Sequence, residues 1–213
     1  MATFLADKCS EIRGWLAIGP DVYPDLVVTG WIRMAEEFLS TVLRVKHMIQ
    51  IDTSPLTVNR VPLPLDWQEI RLVRRLDTGG VCRFQTLDAF YSPDFPNPPN
   101  PNCLDTQQSR YCIVGNYAVF GNVAPAPGLQ MELTYYQNIP PLTDDANNWI
   151  NSYHPTVYTL KILHIASLYA IEDARSDTWN KEVTGTVGVM NQAHKIDMAS
   201  GSVLMPVRKK TFG

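Results

Sequence analysis

The chain has 213 residues, 45% hydrophobic and only 18% charged, with sixteen prolines and a net charge of −3. Such a length suits one domain, or one domain carrying a large insertion, and the apolar fraction is enough for a real core. Of its 18 bases, three (Arg208, Lys209 and Lys210) fall in residues 201–213; the remaining 15 face 21 acids in residues 1–200, a mildly acidic body that argues against a nucleic-acid surface driven by phosphate attraction.

No apolar run approaches the roughly 18 residues a membrane span needs. The opening turns carry Asp7, Lys8 and Glu11 and do not read as a secretory segment. The four cysteines, Cys9, Cys82, Cys103 and Cys112, show no C-x-x-C spacing. A protein made in the cytosol with reduced thiols is therefore expected.

In chain order, Thr3 is placed to cap a first helix in which Leu5, Cys9, Ile12 and Leu16 recur at three- and four-residue steps, until Gly19-Pro20 breaks it. A longer helix is predicted from about Pro24 to Val45, with Val27, Trp31, Met34, Phe38, Val42 and Val45 as its inward stripe. From His47 the period changes to two. "HMIQID", "LTVNRVPL", "QEIRLVRRL", "VCRFQTL", "RYCIVG", "NYAVFG" and "LQMELTYY" all read as short strands. Gly115-Asn116 is a two-residue hairpin signal, because glycine accepts the positive φ that primed turns need. Prolines in "SPDFPNPPNPN" (Ser92 to Asn102) lack the ladder donor and point to a projecting loop.

Helices return after "IPPL". Thr143 is expected to cap a short helix over "DDANNWINSY", with Asp144 and Asp145 in its first turn. Pro155 opens a nearly all-apolar helix, and Asp177 starts a last one through Trp179, Val183, Val187, Met190 and His194. The expected fold class is thus α+β: a helical bundle built from both chain ends (1–46 and 143–200), with a β-rich, sandwich-like antiparallel insertion (47–142) between helices 2 and 3. Residues 201–213 form an extended C-terminal tail, too short to fold alone.

The search for chemistry finds none. His47, His154, His164 and His194 fit no metal-ligand spacing, and His164, in the apolar helix, reads as a core or interface histidine. No nucleophile elbow or phosphate-binding glycine loop occurs. Glu36-Glu37, Asp144-Asp145 and Glu172-Asp173 are neighbours on helices, where adjacent side chains do not face each other, so caps and solvated faces account for them. Arg74-Arg75 in a strand points to opposite faces and makes no single basic patch. No catalytic residue, cofactor or metal is expected, and the chain does not read as an enzyme.

Three segments carry a resemblance: "MAEEFLSTVLRVKHM" (Met34 to Met48), "VPLPLDWQEIRLVR" (Val61 to Arg74), and the long run from Tyr111 to Asp173 containing "ELTYYQNIPPLTDDANNWINSYHPTVYTL". In their order and spacing they resemble the head-to-tail adaptor proteins (head completion or connector proteins) of tailed bacteriophages, particularly short-tailed ones. The likeness spans about residues 1–180. It departs from the family pattern at "LKILHIASLYA", where the family often carries smaller residues, and no family motif is placed from Arg175 onward.

The resemblance implies a structural virion protein at the head–tail interface, made in the host cytoplasm. It packs as a homo-oligomer, typically a dodecameric ring, between the portal protein and the tail or nozzle proteins. DNA would pass through its lumen without specific binding, and no membrane is involved. The family's C-terminal segments dock on the portal. Here that points to Val203, Leu204, Met205, Val207, Arg208, Lys209, Lys210 and Phe212 as portal-binding residues. Two other readings are a tail-tube completion or terminator protein, and, from another class, a carboxylate-dependent hydrolase.

Overall fold

The structure is a computed structural model that describes residues 3–57, 59–91, 110–121, 129–169 and 174–200. In chain order the elements are α1 (Phe4–Leu16), α2 (Asp25–Val42), a 3-10 turn (Lys46–Met48), β1 (Ile49–Pro55), β2 (Arg60–Pro62), β3 (Trp67–Arg75) and β4 (Val81–Phe84). There follow α3 (Leu87–Tyr91), β5 (Arg110–Val114), β6 (Tyr117–Gly121), β7 (Gln130–Gln137), α4 (Trp149–Tyr153), α5 (Pro155–Tyr169) and α6 (Ser176–Ser200). They form two compact units, residues 1–47 with 139–213 and residues 48–138.

In the helical unit, α2 buries Val28, Ile32, Ala35 and Leu39 completely. Their steps of four, three and four residues place them on one face. The buried face is therefore not the expected stripe: Trp31 is buried, but Val27, Met34 and Phe38 are exposed. α2 is apolar on two sides, and residue type alone does not say which side meets the core. α5 is buried almost all round, from Val157 and Tyr158 to Ile165 and Ala166, whereas α6 buries a narrow line of Trp179, Val183, Val187 and His194. Asn191 ties α6 to the end of α2, accepting from the Arg44 N–H (2.7 Å) and donating to the Val42 carbonyl (2.8 Å).

Two helix starts differ from expectation. The Thr3 hydroxyl reaches the Asp7 carboxylate rather than a backbone amide, and the Ala6 N–H of the first α1 turn donates instead to Asp144, 3.1 Å away and 138 residues later in the chain. Thr143 closes a small turn with Ala146, so α4 begins later, at Asn148, whose side chain accepts from the Asn151 N–H at 2.9 Å. Both residues are good caps. The second immediately precedes the apolar run that a helix needs to bury.

In the other unit seven strands form one sheet in the order β1-β7-β3-β4-β5-β6-β2. Every pair is antiparallel except β4–β5, which runs parallel with Arg83 opposite Arg110 and Phe84 opposite Tyr111. The strands at the two ends of the order, β1 and β2, lie against each other, so the sheet is mixed, barrel-like and nearly closed. Register shifts in β3, between Trp67 and Glu69 and between Ile70 and Leu72, supply the local bending that closure requires. Inside lie Val61, Val73, Ala118, Phe120, Met131, Leu133 and Tyr135. The β5–β6 hairpin turns at Gly115-Asn116 with Gly115 at φ +58°, as its sequence signal indicates.

The expected fold class is corrected by this topology. The chain is α+β, but its strands make one nearly closed mixed sheet with a core of its own, not a sandwich-like antiparallel insertion in a helical bundle between helices 2 and 3. Alternating strands and hairpin turns suggested antiparallel pairing throughout. A parallel pair needs a crossover of a dozen or more residues, and residues 85–109 between β4 and β5 provide one, with α3 inside it.

Candidate functional site

The helical unit is organised around a buried carboxylate. Glu36, only 4% exposed, takes three hydrogen bonds on one oxygen: from the Tyr158 hydroxyl (2.7 Å), the Leu142 N–H (2.8 Å) and the Asn148 amide (2.9 Å). Its other oxygen accepts from Arg33 at 2.7 Å, and Arg33 donates also to the Leu142 carbonyl. One turn on, the Ser40 hydroxyl donates to the Glu36 carbonyl and accepts from the Ile139 N–H. Burial, with the Glu36 charge second, pushes the Tyr158 hydroxyl well above its ordinary range. A carboxylate with four donors and almost no solvent access holds segments together and leaves no room for a substrate. The expectation that Glu36-Glu37 is a solvated pair is thus wrong for Glu36, though right for exposed Glu37.

Beside it, Lys8 is buried with its ammonium 2.8 Å from Glu11 and 3.1 Å from the Thr159 hydroxyl, which donates to Glu11 in turn. The residues of these networks lie largely in the stretches "MAEEF", "IPPLTDDANNW" and "PTVYTL" that carry the resemblance. In this chain those stretches supply donors and acceptors to one another.

Three of the four histidines meet at one cavity of about 350 Å³, lined by Lys46, His47, Tyr153, His154, His194 and Asp197 among others. The His47 ring stacks on Tyr153 (4.6 Å between centroids) and on Trp149 (5.6 Å). Burial, and secondarily His47, hold His154 below its ordinary value. Residues 47, 154 and 194 have no spacing that sequence could flag. Among the described residues no group of three or more His, Cys, Asp or Glu side chains is placed to hold a metal ion. His164 is nearly buried in α5 and shares a 3.2 Å hydrogen bond with the Ser176 hydroxyl.

Arg74 pairs with Glu132, its cross-strand partner, at 2.8 Å, and Arg75 forks onto Asp77, so the two arginines make no common patch. Cys9, Cys82 and Cys112 are buried. Glu172-Asp173, the loop Ser92 to Asn102, Cys103 and every proposed portal-binding residue, from Val203 to Phe212, lie outside the described residues.

The helical unit also leaves apolar side chains exposed. On the helical unit α2 exposes Leu26, Val27, Met34 and Phe38, α5 ends in exposed Leu168 and Tyr169, and α6 exposes Val189 and Ile196. Exposed apolar side chains of this kind are a common mark of surfaces that meet other proteins. The profile of the SU10 adaptor protein family matches residues 5–207. The chain belongs to that family of phage head-to-tail adaptors.

It is therefore a structural adaptor protein of a bacteriophage particle. The SU10 adaptor match runs through all of α6 and into the tail, beyond the stretch over which family motifs are legible by eye. Comparison with curated proteins gives no match. No described helix is long and apolar enough to cross a membrane.

Proposed function

We propose that the chain forms a ring, a dodecamer as the family resemblance implies, between the portal and the tail, extending the conduit through which DNA passes. The SU10 adaptor match over residues 5–207 carries this reading. The exposed apolar rows of α2 and α6 support it, because a ring subunit needs two different surfaces to cover. The excess of 21 acids over 15 bases in residues 1–200 suits a conduit that does not grip phosphate.

In this reading residues 201–213 dock on the portal, with Val203, Leu204, Met205, Val207 and Phe212 as apolar anchors and Arg208, Lys209 and Lys210 as charged contacts. The purified full chain, mixed with its portal, is expected to add a ring of density below it in electron micrographs. Absence of density between portal and tail in particles would remove the adaptor role. Deleting residues 201–213 is expected to leave helicity unchanged and to weaken portal attachment. A truncated chain that binds as well as the full one would refute the tail's part.

A further inference from the structure

The most unusual polar group left outside the networks above is Lys161, in the middle of α5. It is only 5% exposed, and its ammonium stands 3.5 Å from the centroid of the Phe38 ring on α2. No hydrogen bond or ion pair to it is formed among the described residues, and neighbouring Glu37 is not bonded to it. A cation–π contact offsets part of the desolvation of an ammonium, but a buried charge ordinarily has a carboxylate or several acceptors as well. Nor is the nitrogen sealed: the unpartnered buried side-chain nitrogens are those of Arg74 and Trp149, and Lys161 is not with them. It therefore keeps a trace of solvent access, and the ring it faces, Phe38, is itself exposed. Phe38 and Met34, one turn apart, are both exposed there.

A second row on the same unit has the complementary make-up. On α6, Glu182, Val189 and Ile196 follow at intervals of seven, which keeps them on one side of a helix with a drift of about 20° per interval. Val189 and Ile196 are 68% and 60% exposed, and exposed Glu182 makes no ion pair among the described residues. One row is apolar with an unmatched cation, the other apolar with an unmatched anion.

We propose that these rows are the two halves of one subunit contact: the α2 margin with Met34, Phe38 and the Lys161 ammonium on one copy receives the α6 row with Glu182, Val189 and Ile196 of a second copy. The inference rests on the ring reading above and deepens it by naming the faces. Because the halves differ, the contact is head-to-tail, so repetition continues past a dimer, as a ring requires. The arriving carboxylate takes the place of water at the ammonium while the apolar side chains exclude solvent around the pair. Charge complementarity of this kind also fixes the sliding register of one helix row against the other.

The test uses the full chain in sedimentation velocity, alone and with portal. Met34→Arg and Val189→Arg each replace an exposed residue, one on each row, and each is expected to abolish self-association with the circular dichroism unchanged. Mixed together, the two variants are expected to form heterodimers and nothing larger, since each still owns one intact face. Glu182→Gln is expected to weaken self-association by about tenfold or more, and added salt to weaken it less in that variant than in the native chain. Variants that assemble like the native chain, or a mixture that stays monomeric while the native chain assembles, overturn the faces named here and leave the ring reading standing. A native chain that stays monomeric even with portal removes the ring reading, and this contact with it.

Discussion

The helical unit and the sheet unit of this chain keep their order by different means. All of the buried polar or charged side chains among the described residues, including Lys8, Glu36, Asn148, Thr159, Lys161, His164 and His194, lie in the helical unit. The sheet unit's interior is built of aliphatic and aromatic residues with a cysteine, Cys82. Strands carry their own ruler, since each backbone pair fixes the next and a slip by one residue turns the core face outward. Helices satisfy their backbone internally and have no such ruler between them. Side chains such as Glu36 do that work, and they do it across separations of 106 to 122 residues.

The contrast can be broken first at Glu36. Glu36→Ala leaves the Tyr158 hydroxyl, the Asn148 amide and the Leu142 N–H without their acceptor. A loss of about 3–5 kcal/mol is expected in urea unfolding. Hydrogen exchange should rise through α2 and α5 and stay low in β3 and β7. Leu133→Ala, at a fully buried position of β7, is the opposite case, expected to cost about 2–5 kcal/mol with faster exchange in the sheet. If both changes accelerate exchange equally everywhere, the two units do not hold themselves independently.

Acid should separate them more gently. All four histidines belong to the helical unit. Burial holds His154 and His164 below the ordinary 6.5, so the unfolded chain takes up protons before the folded one does. Their contribution is complete above about pH 6.5 and is lost as the pH falls through that value toward the folded-state value. Between pH 7.5 and 5.5 the helical unit's unfolding midpoint should drop; His154→Gln together with His164→Gln should flatten that dependence. The smallest effect is expected from Asp144→Ala, about 1 kcal/mol for the cap of α1, read as faster exchange in its first turn only.

These differences also explain what could be read in advance. Seven strands and the Gly115-Asn116 hairpin were legible because a strand's period and a turn's positive φ are local properties. The parallel β4–β5 pair was not, since nothing in either strand records which way its neighbour runs. On α2 the hydrophobic pattern named Val27, Met34 and Phe38, which are exposed, and missed the adjacent face of Val28, Ile32, Ala35 and Leu39. Both faces are apolar, and only one of them meets the core. The role of Glu36 could not be found by local reading, for three of its four donors come from segments that follow the whole sheet. The family resemblance located those segments without saying what they do; the hydrogen bonds supply the reason. The histidine cavity likewise joins residues 47, 154 and 194, and no short-range signal connects them.

Asp144 on the first turn of α1 has a consequence for synthesis. The cap of the chain's first helix is made only after the entire sheet unit has been translated. At bacterial-type rates of about 5–20 residues per second, residues 4–47 leave the ribosome roughly 5–20 seconds before the segment that completes them. The sheet unit, contiguous in sequence, has no such wait. The helical unit is therefore finished last, and any surface it offers to a partner is complete only when the whole chain has been made.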